Sequence, residues 1–175
     1  MTGPIPSPAT PVAVDVPAIT RLTYPGALGI PPVQVSFDAP AGWEPLVLSE
    51  TATLISEAHG DASIVYARER LGALASLEGV ASRLLDDASA EAHEFALVDE
   101  RVITLGGLPG IRREAMVRHT QAEARQARFL VFALAERGGG AVTDLVAIIV
   151  TGDLRRRDEL AAITDGIEAS LTVDG

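Results

Sequence analysis

The stretch from Ala124 to Thr151, ARQARFLVFALAERGGGAVTDLVAIIVT, decides the fold of this chain. It holds two apolar runs, Phe129–Leu134 and Leu145–Val150, separated by Gly138-Gly139-Gly140. Apolar runs of this length beside a glycine-rich turn predict two antiparallel strands joined as a hairpin. Because successive residues are apolar, both faces of these strands should be covered.

Two further strands are expected before this hairpin, over His93–Leu105 and Gly110–His119, separated by Gly106–Gly110. Short connections of this kind make neighbouring strands antiparallel, so the four strands predict a meander. A helical apolar period predicts one helix over residues 76–90 with Ser76 as N-cap, and a second over 154–171 with Asp153 as N-cap. Four residues form the inner stripe of the second helix: Leu160, Ile163, Ile167 and Leu171.

Residues 33–70 add three strands to the prediction. Val33, Val35 and Phe37 alternate with polar residues, which predicts a strand. The segments Ala52–Ala58 and Ser63–Arg70 predict two strands that form a hairpin. Trp43 follows a turn and is expected to cover one end of the core. The predicted order is β-β-β-α-β-β-β-β-α, an α+β fold with an antiparallel sheet of six to seven strands flanked by helices.

The chain divides into three parts by composition. Residues 1–32 contain most of the eleven Pro and predict an extended arm. Apolar residues such as Val12, Val14 and Ile19 favour an arm that lies on its own domain or on a neighbour. Residues 33–172 are expected to form a single α+β domain, and residues 173–175 a C-terminal tail.

Charge and residue usage exclude several classes of function. The 175 residues contain no Lys and no Cys, which removes lysine Schiff bases, thiolate catalysis, disulfides and cysteine-ligated metals. The net charge of −10 argues against nucleic acid as a partner. The N-terminus resembles no secretory signal, and no run of about 18 apolar residues exists, so we expect a cytoplasmic protein without a membrane partner.

The sequence contains little that predicts catalysis or a cofactor. His59 with Asp61, joined by His93 or His119, could form a metal or acid–base site, but their spacing matches no known ligand pattern. The glycines of Gly106–Gly110 lie between strands and read as a turn rather than as a phosphate loop. No Gly-x-Ser-x-Gly elbow is present. We therefore expect no enzyme, no cofactor and no metal.

Arginine is concentrated in residues 101–157, which hold ten of the fourteen. One interpretation is a sheet face that receives an acidic ligand or partner, formed by Arg112, Arg113, Arg118, Arg125 and Arg128. The other is cross-strand pairing with Glu114, Glu123 or Glu69, each exposed pair contributing about 0.2–1 kcal/mol. Arg155, Arg156 and Arg157 lie at the start of the last predicted helix. They could form a site for an anion or an acidic partner, or they could belong to a solvated turn in which they pair with neighbouring carboxylates.

Three short segments carry a family resemblance: Val35–Trp43 (VSFDAPAGW), Gly106–Gly110 (GGLPG) and Ile167–Leu171 (IEASL). With the order of elements, they resemble the actinobacterial LpqN-type family, whose fold is similar to that of PsbP and Mog-type proteins. The resemblance covers residues 33–172. It implies a curved antiparallel sheet of six or seven strands, a non-catalytic binding or accessory role, and no catalytic residue.

The chain also departs from that family. LpqN-type proteins are typically exported lipoproteins, whereas this sequence shows neither a signal peptide nor a lipid-bearing Cys. Mog-type proteins bind a small GTPase, and PsbP proteins bind a photosystem. No segment of this sequence matches the contact surface of either group. A cell-envelope role is therefore not expected from the sequence.

Three functions follow as hypotheses. The first is a non-enzymatic binding or accessory protein that engages a protein partner, or itself as a homodimer, through the sheet and the arm. The second is a small-molecule binding protein with an aliphatic pocket between sheet and helix and an Arg such as Arg113 or Arg128 at its mouth. The third is a weak enzyme in which His59 and Asp61 act together.

Overall fold

The computed structural model describes residues 30–72 and 75–174. The predicted arm lies almost wholly outside these residues. The described strands are β1 (Gln34–Ser36), β2 (Trp43–Ser49), β3 (Ala52–Glu57), β4 (Ser63–Leu71), β5 (Glu94–Leu105), β6 (Leu108–Arg118), β7 (Gln126–Arg137), β8 (Val142–Asp153) and β9 (Thr172–Asp174). The helices are α1 (Leu77–Glu91) and α2 (Arg157–Ser170), and a 3-10 turn, Leu154–Arg156, precedes α2.

Seven strands form one sheet in the order β2-β3-β4-β8-β7-β6-β5, with every neighbouring pair antiparallel. The short strands β1 and β9 form a separate pair in which Val35 lies opposite Val173. The predicted α+β fold, with an antiparallel sheet of six to seven strands and two helices, is confirmed. β6, β7 and β8 are neighbours in the sheet because the connections between them are short.

Two strands were missed by the sequence analysis. β2 begins at Trp43 and includes Pro45 and three successive apolar residues, so it shows neither alternation nor a Pro-free run. Pro is tolerated there because β2 is an edge strand. β9 takes up Val173 and Asp174, which were expected in a tail, because Val173 pairs with Val35 on β1.

The two faces of the sheet are covered by different helices. On one face, α2 and the β1–β9 pair cover a large core that includes Val35, Phe129 and Leu160. On the other face, α1 packs over a smaller cluster that includes Val80 and Phe132. Each fully buried large side chain contributes about 1.5–3 kcal/mol. The expectation that both faces of β7 and β8 are covered is confirmed by this arrangement.

The predicted helix starts are close to those observed. Ser76 caps α1, because its Oγ accepts a hydrogen bond from the backbone N of Gly79 at 3.1 Å. Asp153 caps the 3-10 turn rather than α2, which begins three residues later than expected. No helix in the described ranges is long and apolar enough to cross a membrane.

Candidate functional site

The predicted arginine face does not form as one surface. Because side chains alternate along β6, Arg112 points to the face covered by α2 and Arg113 to the face covered by α1. Arg118 and Arg125 lie near the turn that joins β6 to β7, and both contact Glu94 on β5. The expectation of a single sheet face with five arginines is therefore corrected by the pleat of the strand.

Arg112 is held against α2 by two carboxylates. Its Nη1 donates to Asp165 Oδ1 at 2.5 Å and to Glu168 Oε1 at 2.6 Å. Its guanidinium also lies 5.4 Å from the centre of the Phe129 ring. Burial lowers the pKa of Arg112, but the hydrogen bonds from both carboxylates outweigh it and raise the pKa above its ordinary value. These contacts anchor α2 to the sheet.

The three arginines at the start of the last helix are ion-paired. Arg155 donates to Asp153, and this contact lowers the pKa of the Asp153 carboxyl to about 2. Arg157 forms a two-pronged contact with Glu114 on β6. Arg156 contacts three carboxylates, those of Glu57, Asp61 and Glu159. Carboxylates of the same chain thus occupy the positions that an acidic ligand would take.

The expected arginine partners were partly wrong. Glu114 pairs with Arg157 rather than with an arginine on a neighbouring strand, and Glu69 pairs with Arg83 on α1 at 2.7 Å. Hydrogen bonding to Arg83 lowers the pKa of Glu69. These partners come from helices, which a strand-by-strand analysis of the sequence does not place opposite the sheet.

Arg113 and Arg128 lie together on the face covered by α1, where they line a cleft. We call it the α1 cleft, and its walls are Leu84, Leu85, Ala88, Phe95, Leu97, Arg113, Ala115, Arg128 and Leu130. The cleft has room for about one water molecule, about 20 Å³, and its mouth is open to solvent. The predicted arginines and aliphatic side chains are brought together here.

Of the two arginines in the α1 cleft, one is paired with a carboxylate and the other is not. Arg113 donates to Glu100 at 2.5 Å and to the backbone oxygen of Ala81 at 2.6 Å. Arg128 donates through Nη2 to His119 Nε2 at 3.0 Å, and its Nε is buried without a hydrogen-bond partner in the described part of the chain. Burial lowers the pKa of Arg128, which the negative charge of Glu91 partly opposes.

The histidines do not assemble into a site. His59 and Asp61 lie on the exposed β3–β4 loop, and Asp61 accepts a hydrogen bond from Arg156 at 3.1 Å. His119 contacts Arg128, and His93 is exposed. Within residues 30–72 and 75–174, no group of three or more His, Cys, Asp or Glu is placed to hold a metal ion. This placement gives no support to an acid–base pair of His59 and Asp61.

A row of aliphatic side chains crosses the sheet beside the α1 cleft. We call it the apolar row, and cross-strand pairing aligns its members from the β2 edge inward as Leu46, Leu54, Val65, Ile149 and Leu130. The first is 58% exposed and the others are half-buried. Leu48, 55% exposed, lies two residues further along the same edge strand. Val47, 72% exposed, pairs with Thr53 and points to the opposite face of the sheet, the face covered by α2.

The apolar row is left open because α1 covers only part of its face. The cluster packed under α1 draws its members from β4, β6, β7 and β8, including Leu71, Ile111 and Ala147, and contains none from β2 or β3. Exposed apolar surface that is continuous across several strands marks interaction sites. Sequence patterns did not predict this surface, although Leu46 and Leu48, two apolar residues between Glu44 and Glu50, were a signal of it.

Comparison with known proteins identifies the fold. No protein-family model matches the chain, and no curated protein matches it significantly. Among solved structures it is similar to LpqN of Mycobacterium tuberculosis, a protein involved in cell envelope biogenesis, with a TM-score of 0.68, 12% identity and 90% of each chain covered.

Two further structures share this architecture. The cyanobacterial PsbP of Synechocystis sp. PCC 6803 gives a TM-score of 0.59 at 16% identity, covering 87% of this chain and 99% of the other. The Ran-binding protein Mog1p of Saccharomyces cerevisiae gives 0.54 at 9% identity, covering 78% and 88%. The resemblance expected from the sequence is confirmed at the level of fold.

Proposed function

We propose that this chain, which has the LpqN/PsbP/Mog-type fold, is a non-enzymatic binding or accessory protein that docks another protein on its apolar row. The observation that carries the proposal is the exposure of Leu46 at the β2 edge, in line with half-buried side chains on β3, β4 and β8. The structural neighbours lend support, because Mog1p is a Ran-binding protein and LpqN takes part in envelope biogenesis.

The partner is inferred to present an apolar surface bordered by basic residues. Glu44 and Glu50 are exposed at the two ends of the apolar run on β2, and neither forms an ion pair with any described residue. A second copy of this chain would bring its own −10 net charge to the interface, which opposes self-association. Lys or Arg on a different protein would instead complement both carboxylates.

An amphipathic helix is the occupant that fits this surface. In an α+β fold a helix covers the apolar face of a sheet, as α1 does over β6–β8. A partner helix lying beside α1 would cover the remaining part of the same face, over β2, β3 and β4. Its basic residues would then lie near Glu44 and Glu50 at the sheet edge.

The test begins with a photo-crosslinking amino acid at position 46 in cells, followed by mass spectrometry of the crosslinked protein. The identified protein is then purified and titrated directly against wild type, Leu46→Asp and Val102→Asp. Val102 is a matched control because it is 80% exposed on β5, at the opposite edge of the sheet. We expect Leu46→Asp to weaken binding roughly tenfold or more, and Val102→Asp to leave it unchanged.

Three outcomes overturn the proposal. One is a crosslinked product that consists only of two copies of this chain. Another is a purified partner that binds Leu46→Asp as tightly as wild type. The third is binding that does not weaken with rising salt or with Glu44→Gln and Glu50→Gln, because the proposed pairing with basic residues is screened by salt.

A further inference from the structure

We propose that the α1 cleft binds a small apolar carboxylate, of the class of short- and medium-chain fatty acids, with its carboxylate at Arg128 and its chain along α1. This goes beyond protein docking, because the ligand class and the residues that recognise it are different. The inference rests on the charge of Arg128 and the chemistry of the cleft walls.

Charge is the first argument. Most arginines named above are matched by a carboxylate: Arg112 by Glu168, Arg113 by Glu100 and Arg157 by Glu114. Arg128 forms no ion pair with a carboxylate in the described ranges, and its side chain is half-buried beside apolar walls. A cation in a poorly solvated position gains strongly from a carboxylate that reaches it.

The hydrogen-bonding groups of Arg128 are available for such a ligand. Nη2 donates to His119 Nε2 at 3.0 Å, while the buried Nε has no partner in the described part of the chain. The guanidinium carries five N–H donors, so it can keep its contact with His119 and still hold a carboxylate. His119 in turn contacts the backbone oxygen of Glu91 at the end of α1, which fixes it beside the cleft.

The walls of the cleft select the rest of the ligand. Apart from the two arginines, every lining residue is apolar, including Leu84, Leu85 and Leu97. The cleft has room for about one water molecule, about 20 Å³, and opens to solvent, so the chain of a ligand would lie along these exposed walls rather than inside a closed pocket. A single unbranched acyl chain offers the apolar surface that these walls would cover.

The experiment titrates the full chain with octanoate by calorimetry and by the shift of Tm, with octanol and acetate as matched probes. Octanol keeps the chain and lacks the charge, and acetate keeps the charge and lacks the chain. We expect saturable octanoate binding, and binding of either other probe roughly ten- to a hundredfold weaker, because a charge-assisted hydrogen bond in this setting corresponds to such a ratio.

Two pairs of variants locate the site. Arg128→Gln should weaken octanoate binding at least roughly tenfold, whereas Arg125→Gln, at an exposed position outside the cleft, should not. Ala88→Phe should fill the cleft and abolish binding, whereas Ser89→Phe, on the exposed side of α1, should not. Circular dichroism of each variant shows whether it is folded, and each pair stands as a test on its own.

The inference is overturned if octanol binds as well as octanoate, if Arg128→Gln or Ala88→Phe binds octanoate like wild type, or if octanoate does not bind at all. Its failure is separable from that of protein docking. Leu46→Asp disrupts the proposed docking surface at the β2 edge and should leave octanoate binding unchanged, because Leu46 does not line the cleft.

Discussion

Arg112 and Arg113 are neighbours in the chain, yet their guanidinium groups lie on opposite faces of the sheet. Arg112 meets Asp165 and Glu168 of α2, and Arg113 meets the backbone of Ala81 on α1. Each helix is therefore tied to the sheet by one of two successive arginines. The basic stretch of sequence suggested a ligand-binding face. In the structure, its arginines mainly hold the helices against the sheet.

The contact of Arg112 with α2 predicts a stability effect. Its side chain is only 9% exposed, and Glu168, at 17%, would lose its partner in Arg112→Ala. We expect this variant to lower the free energy of unfolding by about 2–4 kcal/mol, measured by urea denaturation. Arg101→Ala removes a 4.0 Å contact between exposed groups and should cost less than about 1 kcal/mol. Equal losses in the two variants would contradict this account of Arg112.

The turn between β5 and β6 gives a prediction that separates backbone strain from steric clash. Gly106 and Gly107 both have positive φ, of 57° and 85°. A Cβ at Gly106 would lie 2.7 Å from Cγ2 of Val173, whereas one at Gly107 meets no atom within 4 Å. We expect Gly107→Ala to cost about 1–2 kcal/mol from strain alone and Gly106→Ala distinctly more. Thermal unfolding of both variants checks this, and the reverse order would be inconsistent with the packing of β9.

Asp153 predicts a pH dependence of stability. Arg155 lowers the pKa of its carboxyl from 3.8 to about 2, through hydrogen bonds from its side chain and backbone. Because the folded pKa is the lower one, the contribution is present above the unfolded value of 3.8 and is lost as pH falls through about 2. Wild type should exceed Asp153→Asn in stability at pH 7.

The difference in free energy of unfolding between wild type and Asp153→Asn should shrink as the pH falls from about 3.8 to about 2, because both side chains are then uncharged. Asn retains an oxygen that caps the 3-10 turn, so this comparison isolates the charge. Urea unfolding of the two proteins across that range measures it. A difference that stays constant would show that the charge of Asp153 does not contribute.

Sequence patterns predicted the central elements of this fold well and its edges poorly. The runs around Phe129 and Ile148 are apolar on both faces, which only a covered strand explains, and Ser76 marks the start of α1 by its capping side chain. β2 escaped detection because an edge strand with an exposed face shows no alternation. The short pairing of β1 with β9 depends on contacts between distant residues, which local patterns do not contain.

The candidate sites show the same division. Pleating could have been applied to Arg112 and Arg113 from the sequence, since alternate residues of a strand face opposite sides. The carboxylates that neutralise Arg112, Arg156 and Arg157 come from elements distant in sequence, so only the structure assigns them. That assignment leaves Arg128 as the cation available for a ligand in the α1 cleft.

The most direct test of the central claim is the ratio of two dissociation constants for the protein that crosslinks at position 46, measured with Leu46→Asp and Val102→Asp. Both substitutions place the same charge on an exposed apolar site at an edge of the same sheet. Docking on the apolar row predicts a ratio of roughly ten or more, with Val102→Asp equal to wild type. A ratio near one would contradict it.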